Sequence, residues 1–171
     1  MAVEHLYHKA IEDRDVQWIV AEMRRDAGMS EPIQQWGCDA LFRVVQHNPP
    51  AAKEIVSCGG IEVVAAAMNR HPGSVEVQNE ACTAIWRVVR EGGFPAAKAV
   101  VEQGGLEALN LVLKTHPDGS APNEAAMLAL GCLADHGLVS FGKSRQEEAL
   151  EQIQSKGKAF AQVFVVAESG A

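Results

Sequence analysis

Two polar trios in this sequence combine residue types and spacing that suit a carboxylate-binding surface. Each trio places an amide, then an acidic or hydroxyl side chain, then an arginine, at intervals of four residues. The trios are Gln35, Asp39 and Arg43, and Asn79, Thr83 and Arg87. Residues at i and i+4 share one face of a helix, so each trio would form a strip. Because guanidinium groups bind carboxylates through two parallel hydrogen bonds, the strips suit an acidic or carboxylate-terminated peptide.

Three further residues extend this candidate surface, namely Arg90 and the aromatic residues Phe42 and Trp86. The full set of candidate partner-binding residues is Gln35, Asp39, Phe42, Arg43, Asn79, Thr83, Trp86, Arg87 and Arg90. Asp39 weakens the hypothesis because it can neutralise Arg43. The alternative is that both strips are solvated helix faces, with Phe42 and Trp86 packed between structural units. The sequence leaves both interpretations open.

The other residues that could do chemistry form no recognised motif. The four cysteines form no CxxC pair and lie among apolar residues, which favours buried, reduced thiols. They are Cys38, Cys58, Cys82 and Cys132. His5 and His8 could share a helix face, but no third metal ligand is suitably spaced. The stretch "REGGFPAAK" contains neither a dinucleotide-binding nor a P-loop pattern, and no nucleophile elbow occurs. A triad assembled from distant residues stays open, but we expect no enzyme activity, no cofactor and no metal.

The composition limits the class of partner and compartment. Lys and Arg number 15 against 22 Asp and Glu, a formal net charge of −7, and 47% of residues are hydrophobic. This acidic balance argues against nucleic-acid binding, which needs clustered cations. No apolar run approaches the roughly 20 residues that span a bilayer, and the first residues carry acids where a signal peptide would be apolar. We therefore expect a soluble protein without membrane or nucleic-acid partners, in the cytoplasm, with the nucleus as an alternative.

An internal repeat is the strongest pattern in the chain. "AAKEIVSCGGIEVV" begins at Ala51, and "AAKAVVEQGGLEAL" begins forty-five positions later at Ala96. The segments "QQWGCDALFRVV", "QNEACTAIWRVV" and "AAMLALGCLA" also superimpose, with a one-residue change in the offset. A period of 20 to 50 residues is typical of stacked repeat units that share one core.

Each unit reads as three helices. The first ends at a Gly pair, whose freedom at positive φ suits a sharp turn. The second has apolar residues at helical spacing and ends at a "HPG" or "HPDG" segment. The third follows Ser30, Ser74 or Ser120, each a suitable N-cap, with Pro32 and Pro122 in first turns. No stretch shows strand alternation, so the fold class predicted is all-α.

This three-helix unit resembles the armadillo repeat, and "AMLALGCLA" is closest to that family's third helix. The resemblance implies a right-handed α-solenoid of about three repeats in a single domain, 1–171. Its units would be repeat 1 at about 3–47, repeat 2 at about 48–91, repeat 3 at about 92–137, and a helical cap or partial fourth repeat at 138–171. Two helices are predicted in that last segment, Arg145 to Gln154 and Lys158 to Glu168.

What the resemblance implies for function is the binding of an extended segment in the groove lined by the third helices. The family's Trp positions correspond here to Asp39, Thr83 and Leu128, and its Asn positions to Arg43, Arg87 and Cys132. Neither ladder is present, so the binding of nuclear-import cargo is not carried over. We expect a non-catalytic adaptor for a protein or peptide, and the arginines favour an acidic one. The alternative is a structural subunit that docks through its ends and convex face in a larger assembly or a homo-oligomer formed through the C-terminal partial repeat.

Overall fold

Eight α-helices make up most of residues 2–26 and 29–139, the part of the chain that this computed structural model describes. They are α1 (Ala2–Asp13), α2 (Val16–Arg25), α3 (Glu31–Val45), α4 (Pro49–Ser57), α5 (Gly60–Arg70), α6 (Val75–Glu102), α7 (Gly105–Thr115) and α8 (Ala121–Asp135). The described residues contain no strand, and the predicted all-α class is confirmed. Both helices predicted in the segment 138–171 lie outside the described residues.

Side chains cap several of these helices. Asp15 accepts a hydrogen bond from the backbone N–H of Trp18 at 2.9 Å, and Ser74 accepts one from Val77 at 3.2 Å. Each bond satisfies an N–H that has no partner within its own helix. Ser30 and Ser120 occupy the predicted N-cap positions but make no capping bond. The hydroxyl of Ser120 instead donates to the carbonyl of Pro117 in the preceding loop, at 2.7 Å.

The two Gly pairs act as the sequence predicts. Gly59 and Gly104 adopt φ of 75° and 83°, which only glycine reaches without strain. The second glycine of each pair, Gly60 or Gly105, begins the next helix. A Cβ on Gly60 would lie 2.9 Å from the carbonyl oxygen of Ile55, so the turn also depends on the absence of a side chain there.

One connection between helical segments is unusually short. The predicted boundary between the second and third units, near residues 91 and 92, lies next to Gly93, where α6 (Val75–Glu102) consists of two helical segments joined across a kink. Gly93 alone departs from helical geometry, at φ 63° and ψ −151°, and kinks the helix. Pro95 lies in the first turn after this kink, where its missing N–H costs little. A single non-helical residue therefore connects the two helical segments.

The core lies between two series of helices. Helix α2 contacts α5, and α5 contacts α7; similarly, α3 contacts α6, and α6 contacts α8. The largest fully buried apolar side chains come from both series and from α4: Ile19, Met23, Leu41, Ile55, Ile61, Met68, Ile85, Leu109, Leu130 and Leu133. Helices α3, α6 and α8 therefore each present one face to this core and another to solvent or to a neighbouring helix. The candidate surface lies on that other face of α3 and α6.

Within residues 2–26 and 29–139, no helix combines the length and apolar character needed to cross a bilayer. The same residues hold no group of three or more His, Cys, Asp or Glu side chains that could bind a metal ion. All four cysteines are free thiols. Burial raises the pKa of Cys38 and Cys82, which favours the neutral thiol at both positions.

Candidate protein-interaction surface

The residues that the sequence singles out lie on two helices in contact. Gln35, Asp39, Phe42 and Arg43 belong to α3, and the other five belong to α6. Helix α6 packs against α3 on one side and against α8 on another. The structure therefore brings the two predicted strips together, and we call the nine residues the α3–α6 surface.

Arg87 is buried within this surface, with only 5% of the residue exposed. The centre of its guanidinium lies 5.2 Å from the centre of the Phe42 ring and 4.8 Å from that of Trp86. Its Nη1 atom lies 3.6 Å from Oε1 of Glu91, one turn further along α6. Arginine stacks well on aromatic rings, and here the stack joins α3 to α6. The sequence hypothesis of an accessible Arg87 is therefore corrected, because the aromatic rings and Glu91 enclose the side chain.

Arg43 is accessible, but its charge is already paired. Its Nε donates to both carboxylate oxygens of Asp39, at 2.9 and 2.8 Å. The sequence anticipates this pairing from the four-residue spacing of the two residues. A partner carboxylate would have to compete with Asp39 for the same guanidinium.

The smaller polar residues are half-buried, and α6 already uses part of their hydrogen-bonding capacity. The hydroxyl of Thr83 donates to the backbone carbonyl of Asn79 at 2.7 Å. The amide of Asn79 lies 3.5 Å from Oε1 of Glu80. Gln35 is also half-buried, on α3. These residues line the surface rather than project from it.

Arg90 has different surroundings from the other two arginines. Its side chain is exposed, and its guanidinium lies 5.4 Å from the centre of the Trp86 ring. It forms no ion pair with any residue in the described part of the chain. Arg90 therefore combines a fixed aromatic support with a charge available to a partner.

Trp86 connects this surface to α8. Burial raises the pKa of the Cys132 thiol on α8, and a hydrogen bond with the Trp86 side chain acts in the opposite direction. Trp86 is half-buried and lies beneath the guanidinium groups of both Arg87 and Arg90. The ring thus contacts groups from its own helix and from α8.

Glu80 is a charged residue of this region that sequence reasoning missed. The side chain is half-buried on α6, and burial raises the pKa of its carboxyl, with the nearby charge of Asp39 adding to the increase. The hydrogen bond from Asn79 acts in the opposite direction. No residue pattern in the sequence predicts the burial of Glu80, because its environment depends on how α3 packs against α6.

Sequence reasoning also missed three buried amides beneath the surface. Gln34, Gln78 and Asn123 lie in the first turns of α3, α6 and α8. The amide of Gln78 donates to the carbonyls of Met68 at 2.7 Å and His71 at 2.8 Å, which are otherwise left open at the end of α5. The sequence does contain a pattern that could have identified these amides, since an amide residue recurs at the same position of the three superimposable segments.

The third amide belongs to a contact between two loops. Asn123 donates to the carbonyl of His116 at 3.4 Å. The Nε2 atom of His116, itself buried, lies 2.9 Å from the carbonyl oxygen of Pro72 and donates to it in the tautomer that carries a proton there. The His116 side chain therefore links the two "HP" segments, in agreement with their interpretation as turns.

The exposed part of the α3–α6 surface can offer a guanidinium, an aromatic edge and hydrogen-bonding amides, an arrangement suited to recognition of a polar segment. No family model, curated protein or solved structure matches this chain.

Proposed function

We propose that this protein is a non-catalytic adaptor of the cytoplasm that binds a segment of another protein on the α3–α6 surface. The segment is acidic, and its carboxylate pairs with Arg90. In this proposal the chain is a short armadillo-like solenoid, and the third helices of its units line the binding face.

The helix contacts support the solenoid part of this proposal. Helices in equivalent positions of the sequence repeat contact one another in order: α2 with α5, α5 with α7, α3 with α6, and α6 with α8. Stacked repeats produce this order because each unit buries its apolar face against the next. The recurring buried amides Gln34, Gln78 and Asn123 support the same equivalence.

The single observation that carries the binding proposal is the position of Arg90 over Trp86. A guanidinium held over an aromatic ring loses less side-chain freedom on binding than one extended into solvent. Arg87 and Phe42 fix the opposite end of the same cluster, since Arg87 lies within 4.8 Å of Trp86 and 5.2 Å of Phe42. Trp86 and Arg90 are thus pre-organised by a buried stack.

The charges of the surface favour Arg90 over the other two arginines. Arg43 is neutralised by Asp39, and Arg87 is enclosed and lies beside Glu91. A partner carboxylate gains the most binding energy from Arg90, because this arginine does not have to break an existing ion pair in order to bind it. Because the net charge of the chain is −7, the attraction must be local and must act at short range.

The test is selection of binding peptides by the purified full-length chain from a phage-displayed random library. We expect the wild type to enrich peptides that contain Asp or Glu, and Arg90→Glu to lose that enrichment. Lys53→Glu is the matched control, because Lys53 is an exposed cation on α4 and the change in charge is the same. Enrichment of the same acidic peptides by Arg90→Glu, or no enrichment by the wild type, would exclude the proposal.

A second candidate function is self-association through the α7–α8 end. Leu106, Leu113 and Met127 occupy the positions of Ile61, Met68 and Cys82 in the preceding unit. The three earlier residues are at most 1% exposed, whereas the three later ones are only half-buried. An apolar face with less cover than its equivalent is typical of an interface, and its proposed occupant is a second copy of this chain.

Oligomeric state tests this second candidate directly. Light scattering coupled to gel filtration would detect a dimer of the wild-type chain at high protein concentration. Met127→Glu should return that dimer to a monomer, whereas Glu62→Gln, an exposed change on α5, should not. A wild-type chain that stays monomeric across the whole concentration range would refute self-association.

A further inference from the structure

Phe94 is the one aromatic side chain among the large hydrophobic residues that the described part of the chain exposes, at 53% of its surface. It follows the kink of α6, four residues after Arg90. The edge of its ring faces His136 at the end of α8, with 6.3 Å between the ring centres and 69° between the planes. A large apolar side chain in water is unfavourable, and its position beside a second ring calls for an explanation.

The backbone holds Phe94 in this position. Gly93 adopts φ 63° and ψ −151°, a combination that is essentially restricted to glycine. Pro95 then fixes the backbone on the other side of Phe94. The ring is therefore carried by a short, constrained turn between two helical segments, and its side chain needs little further ordering on binding.

Phe94 and His136 lie beside the proposed carboxylate site. Arg90 precedes Phe94 on α6, and Cys132 precedes His136 by one turn on α8. Arg90 and Phe94 are four residues apart in the chain, so their Cα atoms are separated by no more than about 14 Å. Arg90, Phe94 and His136 thus form one patch, which holds Arg90 at one end and the Phe94–His136 ring pair at the other.

From this patch we infer a second subsite, which rests on the proposed function: the Phe94–His136 pair binds an aromatic or large aliphatic side chain next to the acidic residue held by Arg90. The partner segment therefore carries an acidic residue and a nearby large apolar residue. Asp135, exposed at the end of α8, adds a negative charge near Cys132 and disfavours a second acidic residue at this end of the patch.

The charge and ring chemistry support this choice of occupant. Offset and edge-to-face contacts between aromatic rings add specificity beyond the area they bury. Arg90 supplies a positive charge without an ion-pair partner in the described residues, and an acidic side chain complements it. A segment with only acidic residues would leave Phe94 exposed to water, whereas a segment with only apolar residues would leave Arg90 unpaired.

The experiment repeats the peptide selection with Phe94→Ser and measures the affinity of one selected peptide by fluorescence polarisation. The wild type should enrich peptides with an acidic residue and a nearby aromatic or large aliphatic residue. Phe94→Ser should still enrich acidic peptides, but without the preference for an apolar residue. It should bind the peptide selected by the wild type with about tenfold lower affinity, the loss expected for one well-buried side chain. Val75→Ser is the control, because Val75 is a comparably exposed apolar residue at the start of α6.

The outcomes separate the two proposals. If Phe94→Ser selects the same apolar residue as the wild type and binds the peptide equally well, the second subsite is refuted and the role of Arg90 stands. If Arg90→Glu also selects the same peptides, both proposals fail. Because Phe94 lies at the surface, its substitution should leave the helical circular dichroism unchanged, and this is measured for each variant. Should Phe94→Ser lose helicity, His136→Ala replaces it in the same two measurements, with the same expected losses.

Discussion

The guanidinium of Arg87 lies 4.8 Å from the centre of the ring of Trp86, its neighbour in sequence, and 5.2 Å from that of Phe42 on another helix. Neighbouring residues on a helix point in different directions, so the contact requires the Arg87 side chain to turn across the Trp86 ring. The stack connects α3 with α6 and supports the exposed Arg90. It therefore has a role in stability and, in our proposal, a role in binding.

Arg87→Ala should destabilise the protein strongly. The change removes the stack and leaves Glu91 beside it without its ion-pair partner, and loss of one member of a buried pair costs about 3 kcal/mol in the free energy of unfolding. Arg43→Ala breaks an exposed pair and should cost less than about 1 kcal/mol. Urea unfolding followed by circular dichroism measures both. Equal losses for the two variants would contradict a structural role for Arg87.

Gln78→Leu should cost about 2 kcal/mol in the free energy of unfolding, because it leaves the buried carbonyl of Met68 and the part-buried carbonyl of His71 without their donor. The control is Gln17→Leu, which removes an exposed hydrogen bond to Glu54 and should change the free energy by no more than about 0.5 kcal/mol. The same urea titration applies. If Gln78→Leu were as stable as the wild type, the buried amides would be dispensable.

Gly105→Ala and Gly73→Ala should have opposite effects. A Cβ on Gly105 would lie 2.7 Å from Cγ1 of Val100 and 3.0 Å from its carbonyl oxygen, and this overpacking costs about 1–3 kcal/mol. A Cβ on Gly73 meets no atom within 4 Å, and the change should add about 0.5 kcal/mol by restricting the unfolded chain. Thermal melting compares the pair. A lower melting temperature for Gly73→Ala than for Gly105→Ala would show that the turns are assigned incorrectly.

Glu80→Gln should stabilise the protein at neutral pH and have little effect in acid. Burial, with a contribution from Asp39, raises the pKa of the Glu80 carboxyl above its ordinary value of 4.5. The folded state therefore binds this proton more tightly than the unfolded state, so the contribution of Glu80 to stability falls as the pH rises through and above that value. The glutamine variant carries no such charge to desolvate.

Urea titrations at several pH values between mild acid and neutrality measure this difference. The stability of Glu80→Gln minus that of the wild type should increase with pH and then level off above the folded-state pKa of Glu80. Glu76→Gln, an exposed change one turn earlier on α6, is the charge-matched control. A Glu80→Gln advantage that is larger in acid than at neutral pH would mean that the carboxylate is stabilised in the folded protein.

Local patterns in the sequence predict much of the fold. Apolar spacing predicts the helices, and the paired glycines predict the turns at Gly59 and Gly104, because these features depend on residues close together in the chain. Before Ala96, the glycines and the proline correctly mark a break in helical geometry, but they do not show that Gly93 alone makes it. A breaker motif indicates that the helix is disturbed but not whether the chain leaves it.

The candidate site is less predictable because it depends on contacts between helices. Four-residue spacing correctly places Arg43 beside Asp39, within one helix. It also places Arg87 on the same strip, but only the packing of Phe42 from α3 shows that Arg87 is enclosed. Glu80 and Phe94 carry no local signal at all. Their surroundings come from α3 and α8, which are distant in sequence.

The kink at Gly93 limits where this chain can change its length. An inserted residue in the exposed loops around Gly73 or Gly119 would lengthen a connection between two helices and leave each of them intact. An insertion beside Gly93 would instead alter the one non-helical residue that sets the direction of the helical segment after it. Ala97 and Val100 would then leave the core. Engineered insertions, and length differences among homologues, should therefore occur at the loops and avoid Gly93.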